Sequence, residues 1–243
     1  MRKHIPNAIT LGNMLCGILA ILLFTQYEFE WSIYLVGIAA LLDFADGFVA
    51  RMLKVSGDMG KQLDSLADVV SFGLAPAIGL TYVLKREICS FDSVLAFCDP
   101  SIAYVPLAIA LFSAYRLAKF NIDTRQTDKF IGLPTPANSI LILSLVWGID
   151  HGTVDLAGAS DYLEIIIVVF TAFSCWALIA ELPLLALKFK NFGWADNKPR
   201  YLLILSAIVI FAFSGITGLS LVVLLYLIIS IIDNRIHRHE ISR

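Results

Sequence analysis

The sequence predicts an all-α fold, a polytopic membrane bundle of about eight transmembrane helices with both termini on the cytoplasmic side. Composition is the first observation, because 58% of the 243 residues are hydrophobic and only 16% are charged. The second is a mean hydropathy of +0.80, with apolar runs of about 20 residues recurring between short polar breaks. The third is the placement of the positive charges. This pattern argues against a soluble domain and against a nucleic-acid partner, and predicts the lipid bilayer as the surroundings of the chain.

The apolar runs define the predicted helices in order. The first run follows the basic start MRKHIPN and is expected to be a retained helix, because no convincing cleavage site for a signal peptide follows it. Proline, glycine and charged clusters separate the runs. The predicted spans are residues 5–25, 31–50, 67–83, 101–118, 136–148, 162–187, 201–216 and 220–233.

Positive charge orients the predicted bundle. Lys and Arg near membrane ends concentrate in cytoplasmic loops. With the N-terminus inside, all 18 Lys and Arg residues except Lys85 and Arg86 fall on the cytoplasmic side. Cys89 and Cys98 then share one outer loop, where they form either a disulfide or two free thiols. No Cys-x-x-Cys or Cys/His spacing indicates zinc.

Four carboxylates near one membrane interface are the main candidates for functional residues. Asp43 and Asp46 lie near the end of the second predicted span, Asp64 lies just before the third, and Asp68 lies at its start. Helical spacing places each pair on one face, and the short connection between the spans makes their helices antiparallel neighbours. Ionisable groups at membrane depth are costly unless they share a cavity or a cation. The sequence therefore predicts that the four side chains converge.

Oxygen ligands of this kind suit hard divalent cations, which also bind phosphates. Asp43, Asp46, Asp64 and Asp68 are predicted to hold two such ions, Mg²⁺ or Mn²⁺. Gly47 and Gly60 lack side chains, so a bulky group can approach the backbone there. Arg51 has two interpretations: its guanidinium binds a phosphate, or its side chain extends to the cytoplasmic interface.

The spacing D-x-x-D-G-x-x-A-R-x8-G-x3-D-x3-D, from Asp43 to Asp68, resembles the signature of the CDP-alcohol phosphotransferase family. The resemblance implies a motif that spans two transmembrane helices, with two divalent metals holding the pyrophosphate of a CDP-linked donor. It further implies that Gly47, Ala50 and Arg51 contact the cytidine diphosphate. It makes Asp68 the proton acceptor as well as a metal ligand.

Three further segments resemble the integral membrane phosphatidylserine synthase branch of that family: IPNAITLGNMLCGILAI, YRLAKFNID and FIGLPTPAN. This resemblance implies transfer of the phosphatidyl group from CDP-diacylglycerol to the hydroxyl of L-serine, giving phosphatidylserine and CMP. It also implies a homodimer. Residues 1–190 form the expected catalytic membrane core, and residues 191–243 add two C-terminal helices and a basic cytoplasmic tail.

Further polar residues are candidates for substrate contacts. Arg116, Lys119 and Arg125 are either contacts of the serine carboxylate or donor phosphates, or simple positive-inside charge. Asn121 is a candidate amide contact. Glu181 is expected to be structural. Three side chains of the first helix share one face and either line the nucleotide cavity or pack against polar neighbours: Asn7, Thr10 and Asn13.

Two alternatives remain at this stage. A related enzyme of the same family takes glycerol phosphate, inositol phosphate or choline as the acceptor. A cation transporter uses intramembrane carboxylates as its pathway, although confinement of the acidic residues to one pair of helices with Arg51 among them favours phosphate chemistry. The expected location is a prokaryotic cytoplasmic membrane, with the active site facing the cytoplasm.

Overall fold

The computed structural model describes residues 4–55, 57–91, 101–122, 130–156, 162–185 and 193–241. Apart from one pair of two-residue strands, the regular elements of these ranges are helical. In chain order, the elements are α1 (His4–Thr25), α2 (Phe29–Met52), α3 (Asp58–Asp68), α4 (Ala75–Phe91), α5 (Ala108–Ile122), β1 (Phe130–Ile131), α6 (Thr135–Asp150), α7 (Leu163–Ile179), β2 (Pro183–Leu184), α8 (Trp194–Ser214) and α9 (Leu219–Ile241).

Five helical stretches of the described chain are long and apolar enough to cross a membrane. They are His4–Thr25, Phe29–Met52, Asp58–Cys89, Ser101–Ile122 and Asn197–Asn234. The last stretch contains α8 and α9, separated by a 3₁₀ turn at Gly215–Gly218. The helices α6 and α7 have 16 and 17 residues, which is about 25 Å of helix and slightly less than a hydrocarbon core.

A π-helical segment at Val69–Leu74 joins α3 to α4 without a break. Pro76 has no N–H to donate to the carbonyl of Phe72, four residues earlier, which favours such a local change of hydrogen bonding. The helix that continues through the predicted third span, residues 67–83, therefore starts as far back as Asp58. Consequently, Asp64 and Asp68 lie on one continuous rod with the membrane-spanning part.

The bundle core lies among α1, α2, α4, α6 and α7. Its largest fully buried side chains include Phe24, Phe29, Phe72, Ile142 and Leu178. Large apolar side chains of α2, α5 and α8 point outward, as expected for surfaces that face lipid.

Close helix approach depends on small residues. At Gly17 of α1, a Cβ would lie 2.8 Å from the Cα of Ser71. The missing side chain therefore lets α1 pack directly against the π-helical segment.

Two polar contacts mark the end of the bundle opposite the carboxylates. Arg86 pairs with Asp150 at 2.6 Å and lies over the ring of Phe29. The hydroxyl oxygens of Thr153 and Thr217 lie 3.0 Å apart and share a hydrogen bond. Lys85 and Arg86, the two cations predicted on the outer side, therefore lie at the end away from Asp43, Asp46, Asp64 and Asp68. Cys89 is disulfide-bonded, and Cys98 lies outside the described residues.

The predicted sixth span, residues 162–187, was wrong at its C-terminal end. The helix α7 stops at Ile179, and Ala180 is extended with φ −58° and ψ 134°. Pro183 follows, and β2 pairs antiparallel with β1 instead of continuing the helix. A hydropathy pattern does not distinguish the two outcomes, because Leu184 and Leu185 of the extended segment are as apolar and as buried as the core residues of a helix.

Candidate active site

Three carboxylates meet between α2 and α3. Asp43 of α2 and Asp64 and Asp68 of α3 each offer one oxygen, and these oxygens lie within 4.8 Å of one another. The convergence follows from the short connection between the two antiparallel helices and from the spacing of four residues between Asp64 and Asp68. Sequence reasoning predicted that these three carboxylates would converge, together with Asp46.

The residues present fit a divalent cation. All the offered ligand atoms are carboxylate oxygens, the type that Mg²⁺ and Mn²⁺ prefer. The Oδ1 atom of Asp68 is buried and, among the described residues, has no hydrogen-bond partner. A buried carboxylate oxygen without a donor calls for a cation or a substrate group. The site is therefore chemically suited to a metal.

Asp46, the fourth predicted ligand, is not part of this trio, although its charge acts on all three carboxylates. Its side chain is buried at 5% exposure. The hydroxyl of Thr10 on α1 donates to Asp46 Oδ2 at 2.5 Å and also lies 3.1 Å from the carbonyl oxygen of Pro6. The first helix thus holds Asp46 in one orientation. This contact favours the site-lining interpretation of Thr10 over generic helix packing.

The other polar residues of α1 lie close to the same region. A Cβ added to Gly60 would lie 3.4 Å from Asn7 Oδ1, so Asn7 borders the start of α3. Asn13 is fully buried, and both polar atoms of its side chain lack partners among the described residues. The backbone carbonyl of Asn13 accepts a hydrogen bond from the Ser71 hydroxyl at 3.1 Å.

The α2 positions next to the carboxylates are open. A Cβ on Gly47 would meet only Arg51 Nη1, at 3.5 Å. Arg51 is exposed and folds back along the helix past Gly47. Ala50 is half-buried on the same helix. Together these residues leave room for a large ligand beside Asp46.

Arg116 of α5 is the buried cation of the site. It is 8% exposed and lies within electrostatic range of Asp68. Its Nη1 donates to the hydroxyl of Thr135 at 3.0 Å, while its Nε is buried without a partner in the described chain. An arginine that serves only to orient the chain remains in water at the interface. The burial of Arg116 therefore favours a ligand-binding role.

Lys119 and Asn121 make contacts with other helices. Lys119 forms an ion pair with Glu181 at 3.2 Å, just beyond α7. Asn121 Nδ2 donates to the hydroxyl of Ser65 at 2.8 Å, and its carbonyl accepts from Lys61 at 3.0 Å. These contacts join the end of α5 to α3 and α7. Arg125 lies outside the described residues.

Sequence reasoning missed Thr135, which follows Pro134 at the start of α6 and holds Arg116. It also missed the buried pair of Ser174 and Asn138, in which Ser174 Oγ donates to Asn138 Oδ1 at 2.8 Å. A usable signal was present, because Thr135 and Asn138 are polar residues one helical turn apart at the start of an apolar run.

Comparisons with known proteins agree with the geometry. The sequence profile of the CDP-alcohol phosphatidyltransferase family matches residues 3–176. This segment contains the acidic trio, Asp46, Thr10 and Arg116. It ends within α7, so α8 and α9 lie beyond it.

Similar curated proteins carry one name, CDP-diacylglycerol–serine O-phosphatidyltransferase. The protein of Bacillus subtilis is 34% identical over 143 residues, which cover 59% of this chain and 75% of the relative. One from Helicobacter pylori is 31% identical over 230 residues, covering 93% of this chain and 89% of the relative. The protein of Methanocaldococcus jannaschii is 38% identical over 139 residues, covering 57% and 58%.

The profile match extends over more than half of the chain, and its carboxylate residues meet in three dimensions as a metal-binding signature requires. The chain therefore belongs to the CDP-alcohol phosphatidyltransferase family.

Proposed function

We propose that this protein transfers the phosphatidyl group from CDP-diacylglycerol to the hydroxyl of L-serine, producing phosphatidylserine and CMP. The observation that carries the proposal is the meeting of Asp43, Asp64 and Asp68, with the buried Arg116 within electrostatic range of Asp68. This arrangement puts an anionic metal-binding trio and a cation for an anionic substrate group in one place. The names of the similar proteins supply the donor and the acceptor.

In the proposed reaction, the serine hydroxyl oxygen forms a bond to the lipid-side phosphorus, and the bond from that phosphorus to the CMP oxygen breaks. The hydroxyl proton passes to the carboxylate of Asp68. Its Oδ1 is buried without a protein donor in the described chain, so it is available to accept this proton. CMP leaves with the electron pair of the broken bond.

Asp43, Asp46, Asp64 and Asp68 are the residues that would hold two divalent cations, Mg²⁺ or Mn²⁺. Bound there, such ions neutralise the pyrophosphate and the charge that develops on the departing CMP. The contribution of Thr10 is to keep the buried Asp46 carboxylate oriented. The cytidine diphosphate would lie along the open face formed by Gly47, Ala50, Arg51 and Gly60, with Asn7 and Asn13 at its border.

Arg116 is the proposed partner of the serine carboxylate. Its Nη1 is held by Thr135, so the guanidinium is fixed while its Nε remains available for an anionic group. Lys119 and Asn121, which contact Glu181 and Ser65 in this structure, would act next to this subsite. This assignment explains how the enzyme would distinguish serine from water and from alcohols without a carboxylate.

The proposed topology has eight spans, with both termini and the active site on the cytoplasmic side of a prokaryotic membrane. In its support, Lys85 and Arg86 lie at the end of the bundle opposite the acidic trio. Residues 1–190 form the proposed catalytic core, and residues 191–243 form the added helices and tail. The proposed assembly is a homodimer.

An acceptor screen tests the function. Purified protein with Mn²⁺ and CDP-diacylglycerol should release CMP with L-serine, and much less with serinol, which lacks the carboxylate. Release of CMP with glycerol phosphate, inositol phosphate or choline but not with serine would refute the proposed acceptor. Cation flux in vesicles without any CMP release would instead identify a transporter.

The catalytic assignment has its own test. Replacing Asp68 with Asn should abolish turnover while CDP-diacylglycerol still binds, because the substitution removes the proton acceptor and keeps the shape. Arg116→Lys should raise the KM for serine much more than the KM for the donor, since lysine lacks the planar fork of arginine. Substantial turnover by the Asp68→Asn protein would contradict the proposed role.

A further inference from the structure

An extended segment at residues 180–185, called the strap, lies between the end of α7 and the C-terminal helices. Its Pro183–Leu184 strand pairs antiparallel with Phe130–Ile131. The N–H of Gly132 then donates to the carbonyl of Leu182 at 3.0 Å. The strap thus has one edge against β1 and the residues that follow it.

Side chains of α9 bind the end of the strap. Ser230 Oγ accepts a hydrogen bond from the Leu185 N–H at 3.2 Å, and the Tyr226 hydroxyl donates to the Leu185 carbonyl at 3.1 Å. Ser230 is fully buried and Tyr226 is 9% exposed. An unpaired peptide group in an apolar environment costs several kcal/mol. The helix α9 therefore satisfies both backbone groups of a residue that has left the helical pattern.

Apolar packing reinforces these two hydrogen bonds. Leu133 and Leu184 are 0% and 1% exposed, and both pack in one cluster with Leu203 of α8 and Val223 of α9. The C-terminal helices consequently hold the strap and the residues after β1 in a single buried unit. This unit is distinct from the main core of the bundle.

Hydrogen bonds also connect this buried unit to the candidate active site. The N–H of Leu133 donates to the carbonyl of Ala177 at 2.8 Å, and two residues later Thr135 binds the guanidinium of Arg116. Within the strap itself, Glu181 pairs with Lys119. Lys119 is thereby paired with a strap residue, and Arg116 is bonded to Thr135, three residues after Gly132, whose N–H bonds to the strap.

We propose that Ser230 and Tyr226 are positioning residues for the acceptor side of the active site. They act through the strap, which places Thr135 and Glu181 and hence Arg116 and Lys119. The C-terminal helices, which lie beyond the residues matched by the family profile, would then be part of the catalytic architecture. The inference rests on the proposed function for its link to serine.

Single substitutions in the full-length protein test this role. Ser230→Ala and Tyr226→Phe each remove one hydrogen bond to Leu185, and each should raise the KM for serine about 2- to 12-fold. The KM for CDP-diacylglycerol and the Mn²⁺ dependence should stay near wild type, because the acidic trio does not depend on the strap. Ser230→Thr keeps the hydroxyl and should restore much of the serine affinity.

The matched control is Ser206→Ala in α8, because Ser206 is half-buried and its hydroxyl bonds only to the Leu202 carbonyl of its own helix among the contacts described. It should leave both KM values unchanged. If Ser230→Ala and Tyr226→Phe leave the KM for serine unchanged, the inference is wrong. It is equally wrong if both KM values and the melting temperature shift together, as a general loss of stability would cause.

Amide hydrogen exchange separates this inference from the proposed function. Ser230→Ala should speed exchange in the strap and in residues 130–135 while exchange in α3 remains unchanged. If that pattern is found but the acceptor screen rejects serine, the positioning role stands and the assigned acceptor fails. Unchanged exchange in residues 130–135 would overturn the inference whatever the acceptor is.

Discussion

The hydrogen bond from Thr10 to Asp46 offers a direct test of how the first helix contributes to the metal site. The substitution Thr10→Val removes the hydroxyl while it keeps the size and branching of the side chain. Asp46 is 5% exposed and accepts this bond at 2.5 Å. The variant therefore leaves a buried carboxylate without its donor from α1.

The magnitude follows from the type of bond that is lost. A hydrogen bond to a charged group is worth about 1.5–3 kcal/mol, which corresponds to roughly 10- to 150-fold in an equilibrium constant. Groups that orient metal ligands typically change metal affinity or activity by about 10- to 100-fold when they are removed. We therefore expect the Mn²⁺ concentration for half-maximal activity to rise by about 10- to 100-fold.

The assay is CMP release, titrated with Mn²⁺ at saturating CDP-diacylglycerol and serine. Thr10→Ser keeps the hydroxyl and should stay near wild type. Thr25→Val is the matched control, because Thr25 lies at the other end of α1 and bonds to the Leu22 carbonyl of its own helix. If Thr10→Val lowers the melting temperature without shifting the Mn²⁺ titration, Thr10 is only a packing residue and the reasoning is refuted.

Two more predictions concern stability. At about 100 times its Kd, Mn²⁺ should stabilise the protein by about 2.7 kcal/mol and raise the Tm by roughly 5–10 °C. Asp64→Asn should remove most of this Mn²⁺-dependent rise in Tm. Asp58→Asn, an exposed control on the same helix, should keep it. Equal rises in Tm for both variants would argue against the trio as the metal site. Gly132 has φ +75°, and a Cβ there would lie 2.7 Å from the Leu178 carbonyl oxygen. The control is Gly152, which also has a positive φ (+67°) but would have no atom within 4 Å of an added Cβ. Gly132→Ala should therefore lower the Tm much more than Gly152→Ala. Equal decreases in Tm for the two variants would mean that the close contact at Gly132 does not destabilise the alanine variant.

The contrast between α3 and α7 illustrates how far hydropathy alone could predict the fold. The sequence predicted the helical stripe that carries Asp64 and Asp68, which the structure places on one helix that begins at Asp58. It overextended the sixth span into the strap, because a buried strand and a buried helix have the same apolar composition. What ends α7 is pairing with Phe130–Ile131, a partner some fifty residues earlier in the chain.

The candidate site likewise contains some features that the sequence could predict and others that it could not. Asp43, Asp64 and Asp68 could be grouped from spacing because neighbouring antiparallel helices bring periodic positions together. The roles of Thr10 and Thr135 could not, because each acts on a residue of another helix, 36 and 19 positions away in the chain. Spacing within one helix contains no information on such contacts.

By itself, the sequence determined the membrane character of the chain, the all-α class, the convergence of acidic residues from two helices and the resemblance to its family. These properties depend on composition and on local periodicity, which a linear pattern records directly. Only the tertiary structure decided that Thr10 orients Asp46, that Arg116 is buried within electrostatic range of Asp68, and that α9 holds the strap. The physical reason is that hydrogen-bond partners of buried polar groups are chosen by packing between distant segments, and burial in an apolar environment then makes those partners obligatory.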